Sequence, residues 1–281
     1  FLIDKGISNE DVNRILDEKN QHDLKWQNMS MLKYQQIILV LKEVIDSQQY
    51  TFIQNYTELF DVDNKNNSES IFEIQYTEAV TDLGSAFANL FAPIGSSEVT
   101  GGIGATEGNN EPTQNFYESY NIDDLRRDVS IGQLADGRIY CKKFVKKPVL
   151  PNQSNANFVV LRYTDVLLMY AEALNEISYS SSGDAIKYLN EVRQRAGLQL
   201  YTSQQITGQD EFRNLIWNER RYEFAFENQR WFDLLRSGKA VEVMSKSSNG
   251  DFVIEPYQLL FPIPQNQIDI APDIMKQNDN Y

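Results

Sequence analysis

Apolar residues recur three and four positions apart in a few parts of this chain, and the pattern fades between them. From about Ser30 to Asp46, "SMLKYQQIILVLKEVID", the residues Leu32, Ile37, Leu41, Val44 and Ile45 keep approximate helical spacing, with Ser30 in place to cap the start. Residues 158 to 177, "FVVLRYTDVLLMYAEALNEI", repeat the pattern through Tyr163, Val166, Leu167, Tyr170, Leu174 and Ile177. Small Ala171 and Ala173 allow a neighbouring helix to approach closely. After a Ser/Gly turn, "DAIKYLNEVRQRAG" places Ile186, Leu189, Val192 and Ala196 on one face, and Gly197 stands where a left-handed cap would end the helix. The two form a helical hairpin of tetratricopeptide size, in which neither helix buries its stripe alone.

A further helix is expected from about Asp210 to Ser237. It contains "NERRYEFAFENQRWFDLLR", residues 218 to 236, in which acids, arginines and aromatics alternate where an ordinary amphipathic helix would segregate them. Glu219, Glu223 and Glu227 fall at i, i+4 and i+8. Arg220 sits three before Glu223, Arg230 three after Glu227, and Asp233 lies three from both Arg230 and Arg236, which reads as a ladder of side-chain pairs along one helix. The rings of Tyr222, Phe224, Phe226, Trp231 and Phe232 are spread around it, so protein should cover much of its circumference. Carboxylates buried among guanidiniums are expected to be ionised and paired rather than poised for proton transfer, since nearby cations favour the charged form. The stretch is therefore expected to be structural.

From 49 to 157 the periodicity is weak. "ESIFEIQYT", residues 69 to 77, alternates as a short strand does. Residues 95 to 112, "GSSEVTGGIGATEGNNEP", are a loop signal. Their glycines are spaced G-x-G-x-x-x-G with no leading strand and no following Lys-Ser/Thr, which argues against a nucleotide site. In "IYCKKFVKKP" the basic residues Lys142, Lys143, Lys146 and Lys147 alternate loosely with apolar ones, as on a strand with one solvated face. The tail, 252 to 281, carries Pro262, Pro264 and Pro272. These forbid one regular helix across it and favour an extended strap laid over the helices.

Composition narrows the chemistry. The 281 residues carry a formal net charge of −14, so clustered cations for a nucleic-acid partner are wanting. A single Cys141 excludes an intrachain disulfide, and the single His22, in a polar segment, leaves little room for a Cys-His or Ser-His-Asp constellation. No cofactor or metal site is suggested, and the longest strongly apolar run, Ile37 to Leu41, is far too short to span a bilayer.

Several segments, taken in order, resemble the C-terminal portion of the SusD/RagB family of outer-membrane nutrient-binding lipoproteins. "LRYTDVLLMYAEALNE" is similar to the family's L-R-Y-A-D-V-L-L-x-Y-A-E-A-x-N-E helix, and "AIKYLNEVRQRAGL" to its A-x-x-x-L-N-x-V-R-x-R-A-G-L helix. "NERRYEFAFENQRWFDLLRSGKA" resembles E-R-x-x-E-x-x-F-E-G-x-R-W-F-D-L-x-R, with Asn228 where glycine is usual. "EVIDSQQYTF", "ESIFEIQYT" and "DLRRDVS" resemble upstream segments, the last the D-P-R-R-D-x-T turn. In the tail, Pro264 and Gln265 follow the family pattern, while "QNDNY" replaces its Pro-Gly ending. The lipidated cysteine and the first helical repeats of the family have no counterpart here, so the resemblance implies a chain matching the latter half or two-thirds of a member.

The resemblance implies a mainly α fold: one SusD-like domain over residues 1 to 281. Tetratricopeptide-like pairs, 30 to 48 and 158 to 238, would form a scaffold, and a loop-rich, little-strand segment, 49 to 157, would pack against it on the ligand side. It implies a non-catalytic protein that captures a glycan or oligopeptide at the cell surface. Its partner would be a SusC-like TonB-dependent transporter, and its membrane attachment a lipid anchor on the part absent from this chain. A helical-repeat scaffold that binds only protein is the other reading; a glycosidase would need two carboxyls about 5 to 5.5 Å apart across a cleft, and no motif singles out such a pair. For a sugar, rings to stack on C–H faces with amides beside them are the chemistry to seek. "QNFYESYN", residues 114 to 121, offers Asn115, Phe116, Tyr117 and Tyr120; Trp26 is a second candidate. One or two of these rings serving only to anchor a loop is the competing expectation.

Overall fold

The computed structural model describes residues 31 to 247 and 253 to 281; Trp26, His22 and the cap expected at Ser30 lie outside them. By its contacts the chain divides into two compact units, one ending at Phe226 and the other running from Glu227 to Tyr281. The first is built on helices α1 (residues 31–46), α5 (Tyr163–Ile177), α6 (Asp184–Arg195) and α7 (Gln209–Glu223). Leu168 and Ala171 of α5 meet Leu189 and Val192 of α6, with Phe212 and Ile216 of α7, in one buried cluster. The opposite side of α5, through Tyr163, Val166, Leu167 and Tyr170, packs on Leu41 of α1 and its neighbours Ile38, Val44 and Ile45. The stripes of α5 and α6 and the second half of the α1 stripe are thus covered by other helices, whereas Leu32 and Ile37, expected on the same α1 face, are exposed; removing the covered faces from water is the main favourable contribution to the fold. Gly197 ends α6 at φ 77°, with Leu198 N–H donating to Arg193 O, as a left-handed cap requires.

Two expectations about this scaffold change. The periodic segment starting at 158 opens as strand β4 (Phe158–Arg162), paired antiparallel with β1 (Ser70–Ile74); only from Tyr163 is it helical. Val159 and Val160 are β-branched and suit the ladder, and the apolar run there is too short for periodicity to separate strand from helix. The helix expected from Asp210 to Ser237 is also two helices. α7 stops at Glu223, Phe226 and Asn228 take the left-handed region at φ 67° and 62°, and α8 (Arg230–Arg236) follows. Glycine has no steric penalty in that region and Asn a reduced one, which accounts for Asn228 standing in a family's glycine position.

Between the first helix and β4 lie a 3-10 turn (Tyr56–Phe60), the short helices α2 (Phe87–Phe91), α3 (Gln114–Ser119) and α4 (Arg127–Ser130), and the hairpin β2 (Ile131–Gln133) with β3 (Ile139–Cys141). At Gly132 a Cβ would stand 2.3 Å from the Tyr140 ring, so any other residue there would displace that ring. The Gly-rich loop is ordered by one buried side chain: the Asn89 amide donates to Ile103 O (2.8 Å) and Ala105 O (2.9 Å) and accepts from Asn152 N–H. The lysine run departs from a solvated strand. β3 ends at Cys141, and although Lys142, Lys146 and Lys147 are exposed, Lys143 is buried, donating to Tyr56 Oη at 2.8 Å and Glu223 O at 3.2 Å.

The second unit holds α8, α9 (Ala240–Ser247), a 3-10 turn (Pro256–Leu259) and α10 (Gln265–Ile270). Its last part is only partly the extended path expected of the tail. The prolines delimit short elements instead: Pro264 caps α10, which ends before Pro272, and Gln277 ties back to both backbone groups of Ile263. Within the unit the Trp231 ring lies 6.1 Å from Phe261, and Tyr281 meets Tyr257 edge to face.

Candidate functional site

The charged stretch at the end of α7 forms a closed buried network, and its partners come from other elements rather than from its own helix. Glu223 Oε1 accepts from Arg162 of β4 and Arg195 of α6, both at 2.6 Å, and its Oε2 accepts from Arg126 at 3.1 Å. Arg126 also donates to Glu219 (2.7 Å) and Asp124 (2.8 Å), Arg193 to Glu219 (3.0 Å), and Arg162 and Arg195 to Glu69. Arg220 reaches Asp165 of α5 at 2.5 Å. Of the expected ladder along one helix, the i, i+3 contact of Arg236 with Asp233 at 2.8 Å is present. Burial alone would push the Glu223 carboxyl up, but Arg195, Arg162 and Arg126 outweigh it and hold the group well below the usual carboxylate range. A carboxylate so held is a structural anion, unsuited to donate or accept protons at neutral pH.

Residues 114 to 121 lie against this network. Thr113 caps α3 by accepting from Phe116 N–H, and the helix lays Phe116 on Tyr222 (ring centroids 6.0 Å, near parallel) and Tyr120 on Tyr222 edge to face at 4.8 Å. Tyr120 is buried with Ile131 and Ile139. Of the four residues proposed here from the sequence, then, Phe116 and Tyr120 anchor the segment to the core. Tyr117 is half-buried with Arg127 over its ring, and Asn115 is exposed.

The open space in this region lies one step further along. A groove of about 230 Å³ is bounded by Ser119, Asn121 and Asp124, by Arg193, Leu198 and Tyr201 beyond α6, and by Asn218, Glu219 and Tyr222 of α7. None of Asn115, Phe116, Tyr117 or Tyr120 lines it, although Ser119 and Asn121 belong to the same segment. Its walls are fixed by specific bonds: Tyr222 Oη donates to Ser119 O (3.0 Å), Leu125 N–H to Ala196 O (3.0 Å), and the Asn190 side chain clamps both backbone groups of Tyr201 at 2.9 Å. Asp124, Glu219 and Arg193 are committed to one another's network, and Arg193 also covers one face of Tyr201, 3.8 Å from its centroid. The exposed Asn218 amide makes no hydrogen bond among the described residues, and the Asn121 amide nitrogen makes none; Asn121 Oδ1 accepts from Asp123 N–H. The groove thus combines two tyrosines with free amides, the sugar-binding chemistry sought in the sequence, in other residues. Only the neighbouring motif pointed to Asn218 and Glu219, and nothing in "LQLYTSQQ" marked Tyr201. Among the described residues no group of acids, histidines or cysteine forms a metal cluster, and no helix is long and apolar enough to cross a membrane.

With this geometry in hand, comparison with known proteins is decisive at the level of family. The model of the SusD family matches residues 109 to 281. The chain belongs to the SusD family. Among curated SusD-like proteins it is similar to SusD-like protein P2 of Formosa agariphila, 32% identical over 207 residues, covering 60% of this chain and 40% of that protein. SusD-like protein P25 of the same organism is 25% identical over 286 residues, covering 84% and 53%. Among solved structures, the surface glycan-binding protein A of Bacteroides thetaiotaomicron in complex with laminarihexaose is similar at TM-score 0.75 and 27% identity, over 90% of this chain and 61% of that one. A SusD superfamily protein from Parabacteroides distasonis gives TM-score 0.77 at 28% identity, over 89% and 58%. The mainly helical SusD-like fold is therefore shown, and this SusD-family chain spans about two-fifths to three-fifths of the length of these relatives.

Proposed function

We propose that this SusD-family chain captures nutrient glycans at the outer surface of the cell without cleaving them. In this reading it passes them to a SusC-like TonB-dependent transporter, the parent protein being held at the outer membrane by a lipid anchor. The observation that carries the proposal is the likeness over 90% of the chain to a surface glycan-binding protein whose structure contains laminarihexaose. The chemistry of the groove supports it: tyrosine rings and unengaged amides are suited to the C–H faces and hydroxyls of a sugar. Binding without cleavage agrees with the state of the carboxylates, since Asp124, Glu219 and Glu223 each bond a buried guanidinium. Isothermal titration of the purified chain against soluble glycans and oligopeptides, with the recovered ligand checked for shortening, tests the proposal. Saturable glycan binding with ligand recovered intact is the expected result; peptide-only binding, or shortened products, would sink it.

A further inference from the structure

We infer that the groove between the 119–124 turn, Tyr201 and α7 is a subsite for one ring of an uncharged glycan, and that it discriminates against uronic and sulfated sugars. This assignment rests on the glycan-capture reading and names both the place and the ligand class. Its volume, about 230 Å³, lies below the roughly 300 Å³ at which pockets begin to hold drug-sized ligands, so it suits a single ring or a chain end.

Charge selects the class. Every charged group on the floor is already matched: Asp124 accepts from Arg126, while Glu219 accepts from Arg126 and Arg193. Among the described residues that line the groove, Arg193 is the one cation. It is already bound to Glu219, donates to Gln199 O at 3.0 Å and rests on Tyr201. A sugar carboxylate or sulfate entering here would face two carboxylates, in a chain of net charge −14, with no cation released to meet it. The groups left with bonding capacity are neutral. The Asn218 side chain offers a carbonyl and an amide and Asn121 an amide, a mixed donor and acceptor set that matches hydroxyls, each of which both donates and accepts. Tyr201 and Tyr222 line the groove with little left to order on binding, the backbone of the first held by Asn190 and the hydroxyl of the second by Ser119, and what they offer a sugar is the ring surface not taken by Arg193 and Phe116.

The test is isothermal titration of the whole chain with neutral oligosaccharides (laminarihexaose and the gluco-, xylo- and manno-oligosaccharides of similar length) and with oligogalacturonate, for the unaltered protein and for Asn121→Ala/Asn218→Ala. Both asparagines are exposed and the only side-chain bond lost among the described residues is that of Asn121 to Asp123 N–H, so the double variant is expected to stay folded with a thermal midpoint within a few degrees of the parent, which is checked first. At least one neutral oligosaccharide should bind, oligogalacturonate should bind about tenfold more weakly or not at all, and the double variant should lose about tenfold in affinity for the neutral ligand. Unchanged affinity in the double variant overturns the groove as the site while leaving glycan capture standing. Oligogalacturonate binding as tight as the neutral ligand overturns the charge selection. Failure of every glycan to bind the unaltered chain overturns the glycan-capture reading and this subsite with it.

Discussion

Replacing Glu223 by Gln keeps the shape of the side chain and removes one charge from the centre of the first unit. The bonds around it join four carboxylates (Glu69, Asp124, Glu219, Glu223) to four guanidiniums (Arg126, Arg162, Arg193, Arg195), so the linked set is balanced. Glu223 alone serves three of those arginines, and its side chain is fully buried. An amide can still accept at one oxygen, but its NH2 would point donors at donors. The variant therefore leaves an uncompensated buried cation, and breaking a buried pair in this way costs about 3 to 5 kcal/mol. Against a typical total stability of about 5 to 15 kcal/mol this is a large fraction. It corresponds to a fall in Tm of roughly 6 to 20 °C for a unit of this size. Urea and thermal unfolding followed by circular dichroism would measure it. Asp46→Asn, which breaks the exposed Lys42–Asp46 pair, should leave both midpoints where they are. A loss below about 1 kcal/mol in Glu223→Gln would refute the reasoning, because the remaining acids would then be absorbing the charge.

Acid should act through the same residue. Because the folded Glu223 carboxyl is held below its unfolded value near 4.5, its contribution is fully present above that value and is lost as pH falls through the folded one. Urea midpoints measured from about pH 5 down to pH 3 should decline, and less steeply in Glu223→Gln. At Asn228, φ 62° predicts that Gly is tolerated or slightly stabilising while Ala costs about 1 kcal/mol, read from the urea midpoint; equal midpoints for the two would contradict the backbone assignment. Burial pushes the Cys141 thiol up to about 12, so Ellman's reagent should label the native chain only at the rate at which it opens, and fast labelling at pH 8 would show the thiol to be accessible.

The helical stripes were legible because each depends on local spacing alone. Val166, Leu167, Leu189 and Val192 needed only the 3.6-residue period to be placed inward, whereas Leu168, buried on the other side of α5, was not on the expected stripe. The break after Glu223 was not, since neither Gly nor Pro interrupts 218 to 236; Phe226 and Asn228 enter the left-handed region there, and the partners that Glu223 meets on β4, on α6 and at Arg126 are not visible from within the stretch. The same holds for Lys143. A basic run reads as solvated, and contacts far away in sequence, among them Tyr56, Phe60 and the Glu223 carbonyl, make its burial tolerable. Of the rings expected at a ligand, Phe116, Tyr117 and Tyr120, none lines the groove. Phe116 and Tyr120 are nearest the core, so they are spent on packing, whereas the tyrosines left at the groove, Tyr201 and Tyr222, follow helix α6 and end helix α7.

Glu219 belongs to both the network and the groove, and that overlap links architecture to recognition. Its two oxygens accept from Arg126 and Arg193, so the groove floor cannot move without disturbing buried ion pairs that also hold Asp124 and, through Arg126, Glu223. A floor fixed in this way contributes little ordering entropy to binding, which favours weak ligands such as sugars whose individual hydrogen bonds are each worth only about 1 kcal/mol. The same overlap lets a stretch dense in carboxylates lie beside the groove with its acids already paired. The acids there are paired with Arg126 and with arginines of α6, and the bonding left over comes from uncharged amides at the rim.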